Sequence, residues 1–525
     1  MPARSFPRLF ASLALAGSIG CASAPINKKA TVELARADQL VGEGCYDCLS
    51  EALAIYERIA VGKARPLVVE RMFETNVLLG LRLKELAERP AEPFARAKAL
   101  IAELPPAYPA ATYLEIADAV PSDPGGGMPK RDVLTARVAL NPPRLKAFQA
   151  ELAAAPGNTL AQYLAASLDC TVPGPVTPLK PTDIVRAPGA ALNAPAPPAH
   201  STLVTLVQFR RANCASIDRD ALAKLATDDP RYIEAGVFVG RVRSLRPGAL
   251  ELRDARVWLT AAAARWPRSA TVSYGLGVLN QTAGDCRAAV EYYDKTLKEY
   301  GEHEDAHLGR LMCLSYLARH DQAIEEAGGM IFKKISEGEA YYWRAWNYRE
   351  IQNLAAARLD SNKMKSLLFN GRALTLAGQI EYDMGDLPVA EQDLTDAVRL
   401  GRGENCVAQW YWSLVQLKRE AWAPTADGFA RAMTCYDIDR GKNVGYLEDM
   451  QKMQNVDEDW RKGQLANFQA LIAEDDGQIS ASAFNAAVNY ARAQNREKAL
   501  EYLDIAAKDP ARAAQVEELR KLIVK

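Results

Sequence analysis

One small residue returns along the second half of the chain at a nearly constant interval. Ala255, Ala289, Ala323, Ala357, Ala390 and Thr425 follow one another at spacings of 34, 34, 34, 33 and 35, and Ala499 comes 74 residues later, about two further periods. Twelve residues before most of these stands another small residue, at Gly277, Ala345, Gly378, Ser413 and Ala487. Four residues after several of them stands a bulky one, at Leu259, Tyr293, Leu394, Phe429 and Leu503. Gly284-Asp285 and Gly385-Asp386 lie between the two small positions, where a tight turn is needed. A period of this length describes a pair of helices that approach closely at their small residues. One pair cannot bury its own apolar face, so neighbouring pairs stack into a continuous core. Ala, Leu, Glu, Arg and Lys abound and alternating Val, Ile and Thr runs are scarce, which favours helix throughout. The expected fold class is all-α: an αα superhelical solenoid preceded by a smaller, irregular helical domain.

The pattern resembles the tetratricopeptide repeat, best over residues 277–297 and 378–398, and the resemblance covers about residues 232 to 510. Leu311 and Arg243 stand where a small residue is expected, and 436–475 is degenerate, as if holding tilted or irregular units. The resemblance implies that first helices line a concave groove in which a partner docks. Projected onto the sequence, the groove candidates are Tyr274, Met312, Tyr342, Trp346, Arg349, Gln379, Tyr382, Trp410 and Lys418. Trp346 and Trp410 are the two expected to be exposed. Aromatic and Arg side chains are what interface hot spots favour, and an extended peptide or a helix fits such a groove. A glycan or small ligand on the same aromatic platform is the alternative.

The start of the chain reads as an export signal. Arg4 and Arg8 precede a short apolar run at 9–19, which ends in the small residues Gly20-Cys21-Ala22-Ser23-Ala24. Ser18-Ile19-Gly20-Cys21 resembles a lipobox, with Ser18 where that motif prefers Leu; it implies a lipid on Cys21 and a periplasm-facing position on the outer membrane. The competing site, Ala22-Ser23-Ala24, is followed by Pro25 and would release a soluble periplasmic or secreted protein. No later segment reaches the ~18 apolar residues that a membrane span requires. The expected divisions are a signal at 1–21, a helical domain of divergent repeats at 22–170, a linker at 171–203 and the solenoid at 204–525. Eight prolines fall within 171–200.

Without Cys21, eight cysteines remain, an even number that suggests disulfides in an exported chain. Cys45 and Cys48 are close enough for a local bridge, and Cys170 and Cys214 flank the linker. In a stacked array the repeat register brings Cys286 to Cys313 and Cys406 to Cys435. The expected pairing is therefore 45–48, 170–214, 286–313 and 406–435.

Chemistry is sparse. Lys+Arg 64 against Asp+Glu 65 leaves a net charge of -1, which excludes a nucleic-acid footprint. His303-Glu304-Asp305-Ala306-His307 matches H-E-x-x-H, which in zinc peptidases places two imidazoles on one helical face. Here it falls at the junction of two repeats, with Asp305 where those enzymes favour an uncharged residue. His200 and His320 are the only other histidines. The expectation is structural use of both imidazoles, no cofactor and no enzyme activity, with a zinc peptidase through His303, Glu304 and His307 as the remote alternative. The chain reads as a scaffold for protein partners of the cell envelope, held at the membrane through its lipid.

Overall fold

The structure, a computed structural model, describes residues 28–61, 64–86, 91–119 and 252–524, with a few single positions between 160 and 236. Arg243, Cys21, Cys170, Cys214 and the linker lie outside the described residues. Five helices form the first group: α1 Lys28–Glu43, α2 Tyr46–Ile59, α3 Arg65–Glu85, α4 Ala91–Leu100 and α5 Ala110–Ala119. Leu49, Ala52, Phe73, Val77, Tyr113 and Ile116 meet in their shared core. The array then runs α6 Leu252–Arg265, α7 Ala270–Thr282, α8 Cys286–Glu299, α9 Glu304–Tyr316, α10 His320–Phe332, α11 Glu337–Glu350 and α12 Leu354–Leu367. It continues through α13 Gly371–Met384, α14 Leu387–Leu400, α15 Cys406–Lys418, α16 Trp422–Lys452, α17 Glu458–Arg492, α18 Arg496–Ala506 and α19 Ala513–Val524. No strand occurs among the described residues. The described chain is an all-α solenoid of stacked helix pairs.

The period has a direct physical reading. Ala255, Ala289, Ala323, Ala357, Ala390, Thr425 and Ala499 are each wholly buried, at 0 % exposure. At Gly277 an added Cβ would come within 2.7 Å of the Tyr293 ring, so only glycine lets α7 lie this close to α8. Leu311, the expected misfit, is also at 0 % exposure, and the reason is an exchange of volume. Ala327 stands where other units place Tyr293 or Leu394, and Leu311 and Ala327 share one core cluster.

The turn inside each pair uses one left-handed residue. Gly284 and Gly385 supply it at φ of 85° and 83°, but Ala318, Gln352, Glu420 and Gln494 hold the same place at φ of 54°, 60°, 58° and 62°. A side chain in that region is strained by roughly 1 kcal/mol. Glu420→Gly, at an exposed turn, is therefore expected to leave the melting temperature unchanged or raise it, with a gain of up to about 1 kcal/mol in urea unfolding.

The segment expected to be degenerate is not a pair of tilted repeats. The 74-residue gap holds one ordinary period plus an insertion. The second helix α16 and the first helix α17 both run past their repeat length, to 31 and 35 residues, and pack antiparallel as one long arm. The tip of the arm returns to the beginning of the array. Val456 and Trp460 are buried with Ala255, Leu259, Trp266 and Leu276. Arg256 donates to Asp457 at 2.6 Å across 201 residues of sequence. Gln464 donates to the Thr282 carbonyl at 2.7 Å, and a Cβ on Gly463 would run into the Ala283 carbonyl oxygen.

The first helical group joins the same corner. Tyr46 meets Trp266 edge-on at 5.6 Å, Asp47 pairs with Arg265, and the Ser269 hydroxyl donates to the Leu86 carbonyl.

Asp457 carries the charge of the clasp. Burial opposes its ionisation, but the Arg256 guanidinium and the backbone N–H of Trp460 outweigh that and hold the carboxyl below its ordinary range. A depressed carboxyl stabilises fully above its unfolded pKa, about 3.9, and loses that contribution as pH falls through the lower folded value. The melting temperature of the wild type should therefore drop more steeply below about pH 4 than that of Asp457→Asn. Parallel pH profiles for the two would show that the clasp carries no such charge.

Candidate partner-binding face

The first helices α11, α13 and α15 place cations over aromatic rings. Arg349 donates through Nε to Asp383 at 2.6 Å and through its terminal nitrogen to the Tyr411 hydroxyl at 3.0 Å. Tyr411 meets Tyr382 edge-on at 5.7 Å, and the Lys418 ammonium sits 3.8 Å from the centre of the Tyr382 ring. Burial, and then the neighbouring Asp383 carboxylate, push the Tyr382 phenol up, which keeps it a neutral hydroxyl in ordinary solution. One unit earlier, Arg372 lies 4.0 Å from the Tyr342 ring and pairs with Glu339 at 2.7 Å.

Of the nine groove candidates, Arg349, Tyr382 and Lys418 thus meet in one cluster. Tyr342 lies against the neighbouring Arg372, and Gln379 is half-buried on α13. Met312 is half-buried and lines a separate cleft, described below. Tyr274 is buried, at 2 % exposure, because its ring lies against that of His303 at 4.4 Å. Neither tryptophan is the open platform expected. Trp410 packs on Phe429 at 5.0 Å and on the Cys406–Cys435 region, so it belongs to the core between α15 and α16. Trp346 is half-buried between two core clusters, 5.9 Å from Trp343. Asp383 and Tyr411 were not among the candidates. Asp383 follows Arg349 by one period, 34 residues, and that spacing could have revealed it.

The structure forms disulfides Cys45–Cys48, Cys286–Cys313 and Cys406–Cys435, with Cα separations of 4.9, 4.9 and 5.4 Å. The Cys45–Cys48 bridge opens α2, with both residues within the core at 0 % and 2 % exposure, out of reach of an exchanging thiol.

The H-E-x-x-H residues are used in packing. His303 caps α9, its Nδ1 accepting from Ala306 N–H at 3.2 Å. His307 binds Glu326 through Nδ1 and the Gly301 carbonyl through Nε2, so both its ring nitrogens are taken. Glu304 accepts from the Ser336 hydroxyl. Among the described residues, the one group of three potential metal ligands is Cys406, Cys435 and Asp439, and its two sulfurs are joined to each other.

No family model matches the chain, and no curated protein matches it. Among solved structures it is similar to YrrB, a TPR protein with an unusual peptide-binding site, at 18% identity and TM-score 0.31, over 44% of this chain and 99% of that one. It is similar to a tetratricopeptide repeat protein from Parabacteroides merdae at 14% identity and TM-score 0.29, over 47% and 96%. It is also similar to pilF of Pseudomonas aeruginosa at 17% identity and TM-score 0.28, over 58% and 99%.

Proposed function

We propose that this chain is a protein-binding scaffold of the bacterial cell envelope, exported and held at the outer membrane through a lipid on Cys21. The carrying observation is the Arg349–Tyr382–Tyr411–Lys418 cluster, which presents ring edges and an exposed cation on a rigid helical surface. Aromatic and Arg side chains held in place by their neighbours cost little entropy on binding, which suits protein recognition. The three disulfides support an oxidising compartment, since such bonds persist outside the cytosol. No described helix is long and apolar enough to cross a membrane.

A protein partner suits this face better than a glycan. Sugars stack on open ring faces, whereas here Arg372 and Lys418 already cover a face of Tyr342 and of Tyr382. The partner is expected to carry carboxylates that meet Lys418.

The test is cross-linking of the full chain, with native Cys21, in the envelope of a Gram-negative host. One dominant envelope protein should be recovered, and Lys418→Glu should weaken its binding about tenfold, the effect of a hot-spot loss near 1.4 kcal/mol. Recovery indifferent to Lys418→Glu would remove the cluster from the binding face. Cys21→Ser should abolish incorporation of labelled palmitate, and unchanged labelling would sink the lipid anchor.

A further inference from the structure

The arm does more than close the array. Between its first turns and the first helices α7 and α9 lies an open cleft of about 960 Å³. One wall is repeat surface, with Val278 on α7 and Leu308 and Met312 on α9. The opposite wall is the arm, where Gln464, Asn467 and Leu471 recur at helical spacing along one face of α17. The repeat array alone would leave this surface open on one side.

The lining chemistry selects what can enter. Gln281 accepts the Tyr293 hydroxyl through its oxygen at 2.5 Å, which turns its amide N–H groups toward other partners. Gln464 has its nitrogen on the Thr282 carbonyl, which leaves its oxygen as the available acceptor. A donor and an acceptor therefore face the cleft from opposite walls, with Asn467 offering both. An extended peptide backbone presents C=O and N–H groups on its two sides and satisfies such a pair. A wholly apolar ligand of the same size leaves these amides unmatched. Neither Lys nor Arg lines the cleft, so a phosphate, nucleic acid or acidic segment finds no counter-charge. The one ionisable carboxylate is Asp305, at the exposed start of α9.

We infer that this cleft holds an extended peptide segment of a protein partner, with apolar side chains on Val278, Leu308, Met312 and Leu471 and a Lys or Arg beside Asp305. The arm is the second jaw of the site. This rests on the reading of the chain as a protein-binding scaffold but uses a different surface from the Lys418 cluster, so the two can fail separately.

The test is selection of a phage-displayed library of random nine-residue peptides on the full chain. Enriched sequences should combine at least two apolar residues with one Lys or Arg. The synthetic consensus peptide should bind at least tenfold more weakly to Leu308→Asp and to Asn467→Ala, and equally well to Lys418→Glu. Asp305→Lys should reverse the selected charge to Asp or Glu. Circular dichroism melts confirm that each variant remains folded. An unenriched library, an acidic consensus, or binding indifferent to Leu308→Asp and Asp305→Lys would overturn the cleft. A consensus peptide lost only on Lys418→Glu would overturn it too, while leaving the scaffold reading intact.

Discussion

Trp460→Ala is expected to release the tip of the arm, lowering the unfolding free energy of that corner by about 3–5 kcal/mol. The indole is 5 % exposed and sits beside Val456 of the arm and among Leu259, Trp266 and Leu276, which lie about 200 residues earlier in sequence. Truncation removes both the transfer free energy of the ring and the contacts of its neighbours, which cannot collapse because Leu259 and Leu276 are fixed on two separate helices, α6 and α7. Hydrogen–deuterium exchange reads the effect locally. Amides in 453–464 and in 270–282 should lose protection together, while those of α12 to α14 keep theirs. Gly463→Ala reaches the same joint by addition instead of removal. Its new methyl group meets a backbone carbonyl, which cannot rotate away, so a loss of about 1–3 kcal/mol in the same amides follows. Unchanged protection at 270–282 in both variants would mean that the arm does not bear on the array.

Removing the Cys286–Cys313 bridge, through the double variant Cys286→Ala and Cys313→Ala, should cost roughly 3–4 kcal/mol, the loop-closure value for a separation of 27 residues. The bridge ties the start of α8 to α9 in the next pair, so it holds two stacked units in register. Because each unit contacts mainly its neighbours, the loss should be concentrated at that junction and propagate into the cleft beside it. Urea unfolding of the oxidised wild type against the double variant gives the number. A difference under about 0.5 kcal/mol would show that the stacking interface alone fixes the register there.

How legible this was in the sequence differs from one feature to the next. The repeat was plain because each of its signals has a steric cause: a buried small residue at each close approach, Gly277 against Tyr293, and glycine in the left-handed turns at Gly284 and Gly385. The volume swap between Leu311 and Ala327 is invisible to the register, which fixes each position separately, whereas the swap couples two. The arm looks like degenerate repeats in the sequence for a different reason. Its helices are ordinary in composition, and what fixes them is contact with Leu259, Trp266 and Thr282, far away in the chain. The 74-residue gap carried the hint, since it exceeds two periods by several residues. The groove was half legible. Register put Arg349, Tyr382 and Lys418 together, but a first-helix ring can face the groove or the next pair, and periodicity does not choose. Phe429 drew Trp410 into the core, and His303 did the same to Tyr274.

The arm closing back on the start of the array is the claim on which the cleft depends, and a double-mutant cycle tests it most directly. Arg256→Ala, Asp457→Ala and the double variant would be compared by urea unfolding. Asp457 also caps α17 through Trp460 N–H at 2.8 Å, and the cycle removes that separate contribution. A coupling of about 1–3 kcal/mol is expected for a half-buried ion pair 201 residues apart in sequence. Additivity within about 0.5 kcal/mol would contradict the closed arm, and the second wall of the cleft with it.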